Sequence, residues 1–236
     1  MSEIKEVFDK MHIELPDGAL ELLNRYYEML IDTNKVMNLT TITEYSEVVI
    51  KHFADSAAIG CITDMNGNID LIDVGTGAGF PGIVLKIVYP QLSVVLLDSL
   101  NKRVNFLKNV ITELGLTGIS AIHGRAEDIA RNKDYREKFD LCVSRAVANM
   151  SSLSEYCLPF VKVGGRFIPY KADGCDEEVK TASKAVNILG GKSRKIESYV
   201  IPDTDICRKF VVIDKLRNTS AKYPRKAGLP TKEPLV

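Results

Sequence analysis

The chain has 236 residues, of which 45% are hydrophobic and 26% are charged, so it is long enough to bury one sizeable core with a small additional region. It has no apolar run that could cross a membrane and no basic-plus-apolar targeting signal, from which we expect a soluble cytoplasmic protein that binds no membrane. Its five cysteines are odd in number and lack CxxC spacing, which favours reduced thiols over disulfides or a metal site.

The formal net charge of zero hides a strong separation of charge along the chain. Residues 1–70 carry 5 Lys/Arg against 13 Asp/Glu, whereas residues 208–236 carry 8 against 2. The basic end also contains Tyr223 and three prolines, a composition typical of an extended arm that contacts phosphates. A solvated tail is one alternative. A clamp that packs onto the sheet through Leu229 and Leu235 is another.

The first 70 residues are predicted to form a helical region. Apolar periodicity indicates helices over residues 2–11, 17–32 and 44–61, followed by a turn-rich connector. From Leu71 onward, apolar runs alternate with helical stretches, which indicates βαβ units and a mostly parallel sheet. We therefore divide the chain into an N-terminal helical region (1–70) and an α/β domain with a basic C-terminal tail (71–236).

A glycine-rich turn follows the first predicted strand. Gly75, Gly77 and Gly79 alternate after Leu71-Ile-Asp73-Val, and glycine lets a ligand lie against bare backbone. Counted from Gly77, the run also fits the dinucleotide pattern G-x-G-x-x-G. Pro81, however, has no N–H to offer a phosphate, and the Asp73 carboxylate suits a cation better than a diphosphate. The pattern favours S-adenosylmethionine, and an NAD-dependent oxidoreductase is the alternative.

Later predicted strands add an adenosine-binding pattern. The strand over residues 92–97 ends at Asp98, about 20 residues beyond the turn, where an acid can accept hydrogen bonds from ribose hydroxyls or cap the next helix. A third strand (120–123) runs into Gly124-Arg-Ala126-Glu127-Asp128.

The remaining strands are predicted over residues 141–143, 166–170, 199–201 and 210–213, with a helix over 151–161 and a Gly164-Gly165 turn. Because the last two have no helix between them, we expect them to pair antiparallel. The predicted fold class is α/β: a Rossmann-like methyltransferase fold, mostly parallel with an antiparallel last strand, and an N-terminal helical cap.

The residues after the fourth strand bear on the methyl acceptor. Ser144-Arg145-Ala146 stands where enzymes that methylate exocyclic amines carry Asn/Asp-Pro-Pro-aromatic, and Cys142 and Cys157 lack the context of a nucleophile. An acceptor with a free lone pair, such as guanine N7, needs no deprotonation, so positioning suffices. The pattern excludes some acceptors without singling out N7.

Several segments together resemble the glucose-inhibited division protein B family, bacterial methyltransferases of small-subunit ribosomal RNA. The resemblance covers nearly the whole chain. One departure is Thr33, at a position where the family often has tryptophan, which leaves any stacking role of that ring in doubt here. The matching segments are Asn38-Leu-Thr, His52-Phe-Ala-Asp55-Ser56, Asp73 to Gly82, Gly124-Arg-Ala-Glu127, Ser144-Arg145-Ala146 and the tail from Tyr223 to Leu235.

The resemblance implies methylation of guanine N7 in 16S ribosomal RNA, with S-adenosylmethionine as cofactor, no metal and a monomeric protein. It implies that Gly75 and Phe80 contact the cofactor, that Ala126 and Glu127 flank the adenosine, and that Arg145 is the catalytic residue at the cofactor–substrate junction. Arg145 could instead be structural, paired with Asp73 or Asp140. His52, Asp55 and Ser56 either belong to the active site or dock the cap. A non-catalytic ribosome-assembly factor with this fold is a further alternative.

Overall fold

A computed structural model describes residues 2–235 and contains a seven-stranded sheet in the order β3-β2-β1-β4-β5-β7-β6. Strands β1 to β5 run parallel, and β7 lies antiparallel between β5 and β6. The predicted fold class is confirmed, although the antiparallel strand lies inside the sheet and β6 forms its edge. The strands are β1 (Asp70–Val74), β2 (Ser93–Asp98), β3 (Ile119–His123), β4 (Phe139–Arg145), β5 (Val161–Ala172), β6 (Gly191–Val200) and β7 (Cys207–Lys215).

Helices connect the strands and form the N-terminal cap. One helical stretch of the cap is continuous from Tyr45 to Cys61. It begins as α3 (Tyr45–Val48), passes through a π-helical turn (Val49–Ala54) into α4 (Asp55–Ala57), and ends in a 3-10 turn (Ala58–Cys61). The helices are α1 (Glu3–Lys10), α2 (Ala19–Asn34), α3 (Tyr45–Val48), α4 (Asp55–Ala57), α5 (Gly82–Val88), α6 (Asn101–Glu113), α7 (Ala126–Ile129), α8 (Met150–Cys157), α9 (Asp176–Thr181), α10 (Ser183–Ile188) and α11 (Leu229–Lys232).

The cap packs directly onto the sheet. Helix α2 buries Leu23, Tyr26 and Leu30, which helical periodicity brings to one face. These side chains belong to the same apolar cluster as Ile83 of α5. The Tyr26 hydroxyl donates a 2.6 Å hydrogen bond to the carbonyl of Ala78, so the cap touches the glycine-rich turn. The division of the chain at residue 70 stays a prediction.

One local expectation was wrong, and two helices were missed. Gly164 and Gly165 lie within β5, where pairing with β4 jumps from Val161 to Arg166, and do not form a separate turn before it. A Cβ at Gly165 would lie 2.6 Å from the carbonyl oxygen of Asp140, so glycine is needed for this close approach. Helices α9 and α10, between β5 and β6, were not predicted because their segment is short and mostly polar.

The basic C-terminal segment is folded onto the domain, contrary to the expected extended arm. We call residues 219–232 the strap. Arg136 donates hydrogen bonds to the carbonyls of Thr219 (2.7 Å) and Tyr223 (2.9 Å), and Arg131 donates one to Pro224. Tyr223 is buried in the second apolar cluster, and Leu235 packs against that cluster. The segment is therefore attached to the domain as the clamp alternative predicted for Leu235, with Tyr223 and not Leu229 in the apolar cluster.

Candidate active site

The glycine-rich turn carries the chain from β1 into α5 with a backbone that only glycine adopts easily. The φ angles are +73° at Gly75, +62° at Gly77 and +108° at Gly79. A Cβ at Gly79 would lie 2.6 Å from the hydroxyl of Tyr26, in the cap, and 2.5 Å from Cδ1 of Ile83, in α5. The surrounding side chains therefore leave no room for a side chain at this position. The tight turn leaves the backbone of Gly75 exposed to the neighbouring cavity.

Asp73 shapes this turn from beneath. Its Oδ2 accepts hydrogen bonds from the Thr76 hydroxyl (2.6 Å) and the Gly82 amide (2.9 Å). Burial raises the pKa of the Asp73 carboxyl to about 6, and its Oδ1 has no partner within residues 2–235. Asp73 is not among the residues that line the cavity, and its hydrogen bonds hold the turn.

Asp98 holds the turn from the end of β2. Its Oδ2 accepts a 2.9 Å hydrogen bond from the Gly77 amide, and its Oδ1 accepts one of 2.8 Å from the Leu100 amide at the start of α6. The residue also lines the cavity. The carboxylate therefore supports the turn and the helix start, and it faces the site where the sequence predicts a ribose.

A cavity of about 360 Å³ opens at the carboxyl ends of the parallel strands. This volume suits a small-molecule ligand, and ligands bind at this edge in open α/β sheets. Its charged lining residues are Asp98, Glu127 and Arg125, and Pro81 starts the adjacent helix without an N–H. Two carboxylates and an open glycine backbone fit a cationic ligand such as S-adenosylmethionine better than a diphosphate. The lining consists of Val74, Gly75, Leu97, Asp98, Ser99, Gly124, Arg125, Ala126, Glu127, Val147, Ala148, Asn149, Tyr156, Gly228 and Thr231.

The residues predicted from the sequence fall into two groups. Those at the cavity are Gly75, Asp98, Ala126 and Glu127; those outside its lining are Gly77, Gly79, Phe80 and Arg145. Sequence reasoning missed the cavity residues from α8 and the strap. No local signal marks them, because Tyr156 and Thr231 meet only through the fold, where their hydroxyls lie 2.6 Å apart.

The strap forms one wall of the cavity and is tightly attached. Its Gly228 amide donates a 2.8 Å hydrogen bond to Oε1 of Glu127. Arg225 donates from its backbone amide, Nε and Nη2 to Glu155, whose carboxylate is fully buried. The Ser152 hydroxyl donates a 2.7 Å hydrogen bond to the carbonyl of Pro230.

Arg145, at the end of β4, points to the cap. Its Nη1 donates to Oδ2 of Asp55 (2.7 Å), and its Nη2 lies 3.2 Å from Nδ1 of His52. Its guanidinium carbon lies 5.3 Å from the centre of the Phe80 ring. The predicted structural alternative, a pair with Asp73 or Asp140, was wrong, because Asp55 is the partner.

His52 and Asp55 dock the cap and at the same time orient Arg145. Burial and the charge of Arg145 lower the pKa of His52 to about 4, so the ring is neutral. Its Nδ1 lies 3.2 Å from both Nη2 of Arg145 and the carbonyl oxygen of Lys51, and its Nε2 faces the Thr40 hydroxyl at 2.9 Å. Asp55 accepts a second hydrogen bond, of 2.6 Å, from Nε of Arg208. His52 and Asp55 thus contact both the cap and Arg145. We call this arrangement the cap junction; it consists of His52, Asp55, Phe80, Arg145 and Arg208.

Ser56 helps to dock the cap, and its Oγ has no hydrogen-bond partner within residues 2–235. It is fully buried, and its backbone carbonyl accepts a 2.7 Å hydrogen bond from the Tyr170 hydroxyl. The chain then passes from the cap junction to the cavity through Ala146, with φ +58°, and Val147. A Cβ at Gly75 would lie 2.5 Å from Cγ2 of Val147, so the two places are adjacent.

Comparison with known proteins agrees with this geometry. A family model described as rRNA small subunit methyltransferase G matches residues 19–209. The chain belongs to that family. Ribosomal RNA small subunit methyltransferase G of Lachnoclostridium phytofermentans is 52% identical over 95% of the chain and 93% of the relative. The protein of the same name from Staphylococcus epidermidis strain RP62A is 46% identical over 99% and 97%.

Solved structures resemble the fold at low sequence identity. A SAM-dependent methyltransferase from Aquifex aeolicus has a TM-score of 0.53 at 17% identity, covering 72% of this chain and 93% of its own. M. jannaschii TYW2 in complex with AdoMet has a TM-score of 0.54 at 15% identity, covering 73% and 77%.

The family assignment settles the choice of cofactor and enzyme class. This member of the methyltransferase G family is an S-adenosylmethionine-dependent methyltransferase, and reading the shifted glycine count as an NAD signature was the wrong alternative. Within residues 2–235, none of the helices has the length and apolarity needed to cross a membrane. The same residues contain no cluster of three or more His, Cys, Asp or Glu suited to a metal.

Proposed function

We propose that this chain transfers the methyl group of S-adenosylmethionine to N7 of a guanine in 16S ribosomal RNA. The observation that carries the choice of N7 is the protonation chemistry next to Arg145. His52, the imidazole at the cap junction, has a pKa of about 4, and both of its ring nitrogens already face protein partners: Nδ1 faces Arg145 and the Lys51 carbonyl, and Nε2 faces the Thr40 hydroxyl. It is not free to take a proton from a substrate amine, and N7 attacks through a lone pair that requires no base.

We propose that the cofactor lies along the cavity with its ribose near Asp98 and its adenine beside Ala126 and Glu127. Bound there, it supplies an electrophilic methyl group on a sulfonium. Gly75 provides the bare backbone, while Gly77 and Gly79 keep the turn in shape. The two cavity carboxylates can accept hydrogen bonds from ribose hydroxyls and the adenine amine, whereas they would repel a diphosphate.

Arg145 and Phe80 are proposed to act on the substrate side. Asp55 and His52 fix the guanidinium in one orientation, and a fixed cation positions a nucleic acid more effectively than a mobile one. The adjacency of Gly75 and Val147 brings this group next to the cavity. We place the target guanine between Arg145 and the cavity mouth, where the catalytic contribution is positioning.

The test uses small ribosomal subunits from a strain that lacks this protein. Incubation with the enzyme and labelled S-adenosylmethionine should yield one 7-methylguanosine in 16S RNA. Single-turnover rates should stay nearly flat between about pH 6 and 9, because no side chain removes a proton. A tenfold rise per pH unit would contradict the choice of N7, and binding without methyl transfer would support the assembly-factor alternative.

We also propose that the protein acts as a monomer in the cytoplasm. Val36, the most exposed of its large apolar residues, lies just beyond α2, and a single exposed apolar residue is ordinary surface. Sedimentation at working concentrations should give the mass of a single chain.

A further inference from the structure

We propose that the strap sets the preference of the site for adenine, with Arg225 and Glu155 as positioning residues that act through Gly228 and Glu127. The inference rests on the proposed location of adenine beside Glu127 and is independent of the RNA substrate. The strap is basic in sequence. Its Gly228 and Thr231 nevertheless line the cavity, and the positive charge of Arg225 is neutralised by Glu155.

The contact that links the strap to the cavity is the hydrogen bond from the Gly228 amide to Oε1 of Glu127, at 2.8 Å. Glu127 is almost fully buried and lines the cavity. Its Oε2 has no hydrogen-bond partner in the part of the chain that the structure describes. Occupation of one oxygen by the strap therefore leaves the other as an acceptor with a fixed direction, which suits the exocyclic amine of adenine.

The position of Gly228 depends on an anchor three residues earlier. The Glu155 carboxylate is fully buried and receives three donors of Arg225: the backbone amide at 2.7 Å, Nε at 3.0 Å and Nη2 at 2.7 Å. Arg225 also donates from Nη2 to the carbonyl of Glu233. Charge-assisted bidentate pairs of this kind fix geometry as well as add energy.

Helix α8 provides further attachment on the other side of Gly228. The Ser152 hydroxyl binds the carbonyl of Pro230, and Tyr156 contacts Thr231 through their hydroxyls. Gly228 is thus held between two attachments to one helix, with φ +81° that favours glycine. The strap and α8 therefore hold the Gly228 amide in place before a ligand binds. The α8 residues that make these contacts are Glu155, Ser152 and Tyr156.

Adenine and hypoxanthine differ in the group that would face Glu127. The amine of adenine donates to Oε2, whereas the carbonyl of hypoxanthine would bring two acceptors together. A site built around a hydrogen bond rejects the analogue that cannot make it. A loosened strap would let Glu127 turn away, which weakens discrimination between the bases more than it weakens binding of the rest of the ligand.

The experiment measures binding of S-adenosylhomocysteine and S-inosylhomocysteine to the full chain by calorimetry, without RNA. The wild type should prefer the adenine ligand by about tenfold or more, the usual effect of a hydrogen bond to a charged group. Glu127→Gln should abolish or reverse this preference. Arg225→Met should lower it at least about threefold, Arg225→Lys should restore part of it, and the neighbouring exposed Lys226→Gln, as matched control, should leave it unchanged.

Arg225→Met leaves the Glu155 charge buried without its partner, so the double variant Glu155→Gln/Arg225→Met is measured in parallel, with melting temperatures for all variants. A lowered preference in the double variant supports the proposal. If Glu127→Gln loses the preference while both Arg225→Met variants keep it, the role of the strap is overturned and the adenine location stands. Equal weakening of both ligands with an unchanged preference also overturns it, as does a preference that Glu127→Gln leaves intact. Methyl transfer enters none of these readouts, so a failure of the N7 proposal remains distinguishable.

Discussion

The cofactor cavity and the cap junction are adjacent but are built in different ways. The cavity uses backbone and side chains at the ends of neighbouring strands, so most of its lining is fixed once the sheet forms. The cap junction joins side chains that are far apart in sequence. Asp55, in the first half of the chain, binds Arg145 and Arg208, both in the second half. The predicted site residues therefore fall into two groups: some line the cavity, whereas Arg145 and Phe80 lie beside it at the cap junction.

The two regions also differ in their energetics. Asp55 is fully buried between two guanidinium groups, and removal of a buried charge leaves its partners uncompensated. In the cavity, Asp98 mostly accepts from backbone amides, so its loss disturbs a turn and leaves no charge in the core. Variants should therefore affect stability most at the cap junction and ligand affinity most at the cavity.

The largest effect is expected for Asp55→Asn. Loss of the carboxylate leaves Arg145 and Arg208 without their shared counter-ion, and the protein should lose about 3–5 kcal/mol of unfolding free energy. Urea unfolding followed by circular dichroism measures this change. Asp203→Asn is the control, because Asp203 forms an exposed ion pair with Lys10, and exposed pairs contribute little to stability. Equal unfolding midpoints for the two variants would contradict the distinction.

Arg145→Ala should affect rate far more than cofactor binding. Single-turnover methyl transfer should fall about 100-fold through lost positioning. The Kd for S-adenosylmethionine should change by less than about threefold, because Arg145 does not line the cavity. Arg145→Lys keeps the charge but cannot contact Asp55 and His52 together, and should recover little rate. A weakened Kd with an unchanged rate would move Arg145 to the cofactor side.

Asp98→Ala should have the opposite signature. The Gly77 and Leu100 amides lose their acceptor, and the proposed ribose contact is lost, so affinity for S-adenosylmethionine should weaken by about 1–3 kcal/mol. Calorimetry on the purified variant measures the change. Gly77→Val is a companion test of the turn: no atom lies within 4 Å of a Cβ at Gly77, so its effect should come from strain at φ +62°. Wild-type affinity in both variants would remove the turn from the binding site.

The pH dependence of stability should report the neutral state of His52. The folded pKa of about 4 lies below the unfolded value of 6.5, so the unfolded chain binds more protons between them. Stability from this group is complete above pH 6.5 and is lost as pH falls toward 4, by about 3 kcal/mol. His52→Asn should flatten this slope in urea titrations. Asp73, with a raised pKa of about 6, contributes the opposite slope over part of this range, which cancels in the comparison.

The smallest effects on folding are expected for the outward cations of the strap. Lys222, Lys226 and Lys232 are exposed, whereas Arg225 is tied to Glu155. Replacing the three lysines by Gln should change stability by less than about 0.5 kcal/mol and leave cofactor affinity intact. If they contact RNA phosphates, the slope of log affinity against log salt should become shallower by about 2–3. An unchanged slope would restrict the strap to its role in the cavity.

The sequence by itself determined the features that rest on local patterns. Apolar periodicity predicted the strands and cap helices, alternating glycines predicted the turn after β1, and the end of β2 predicted Asp98 at the cavity. The family resemblance implied Ala126 and Glu127, which follow β3. These succeed because the carboxyl ends of parallel strands meet at one edge whatever the remaining contacts are.

Only the tertiary structure determined how charges and distant segments are paired. Local composition cannot reveal that Arg225 is neutralised by Glu155, 70 residues away, or that Arg145 is held by Asp55, 90 residues away. A buried ion pair forms where the fold brings two side chains into one low-dielectric place, and sequence spacing carries no record of that distance. For this reason the sequence predicted a phosphate-binding arm, whereas in the folded protein the strap forms one wall of the cavity.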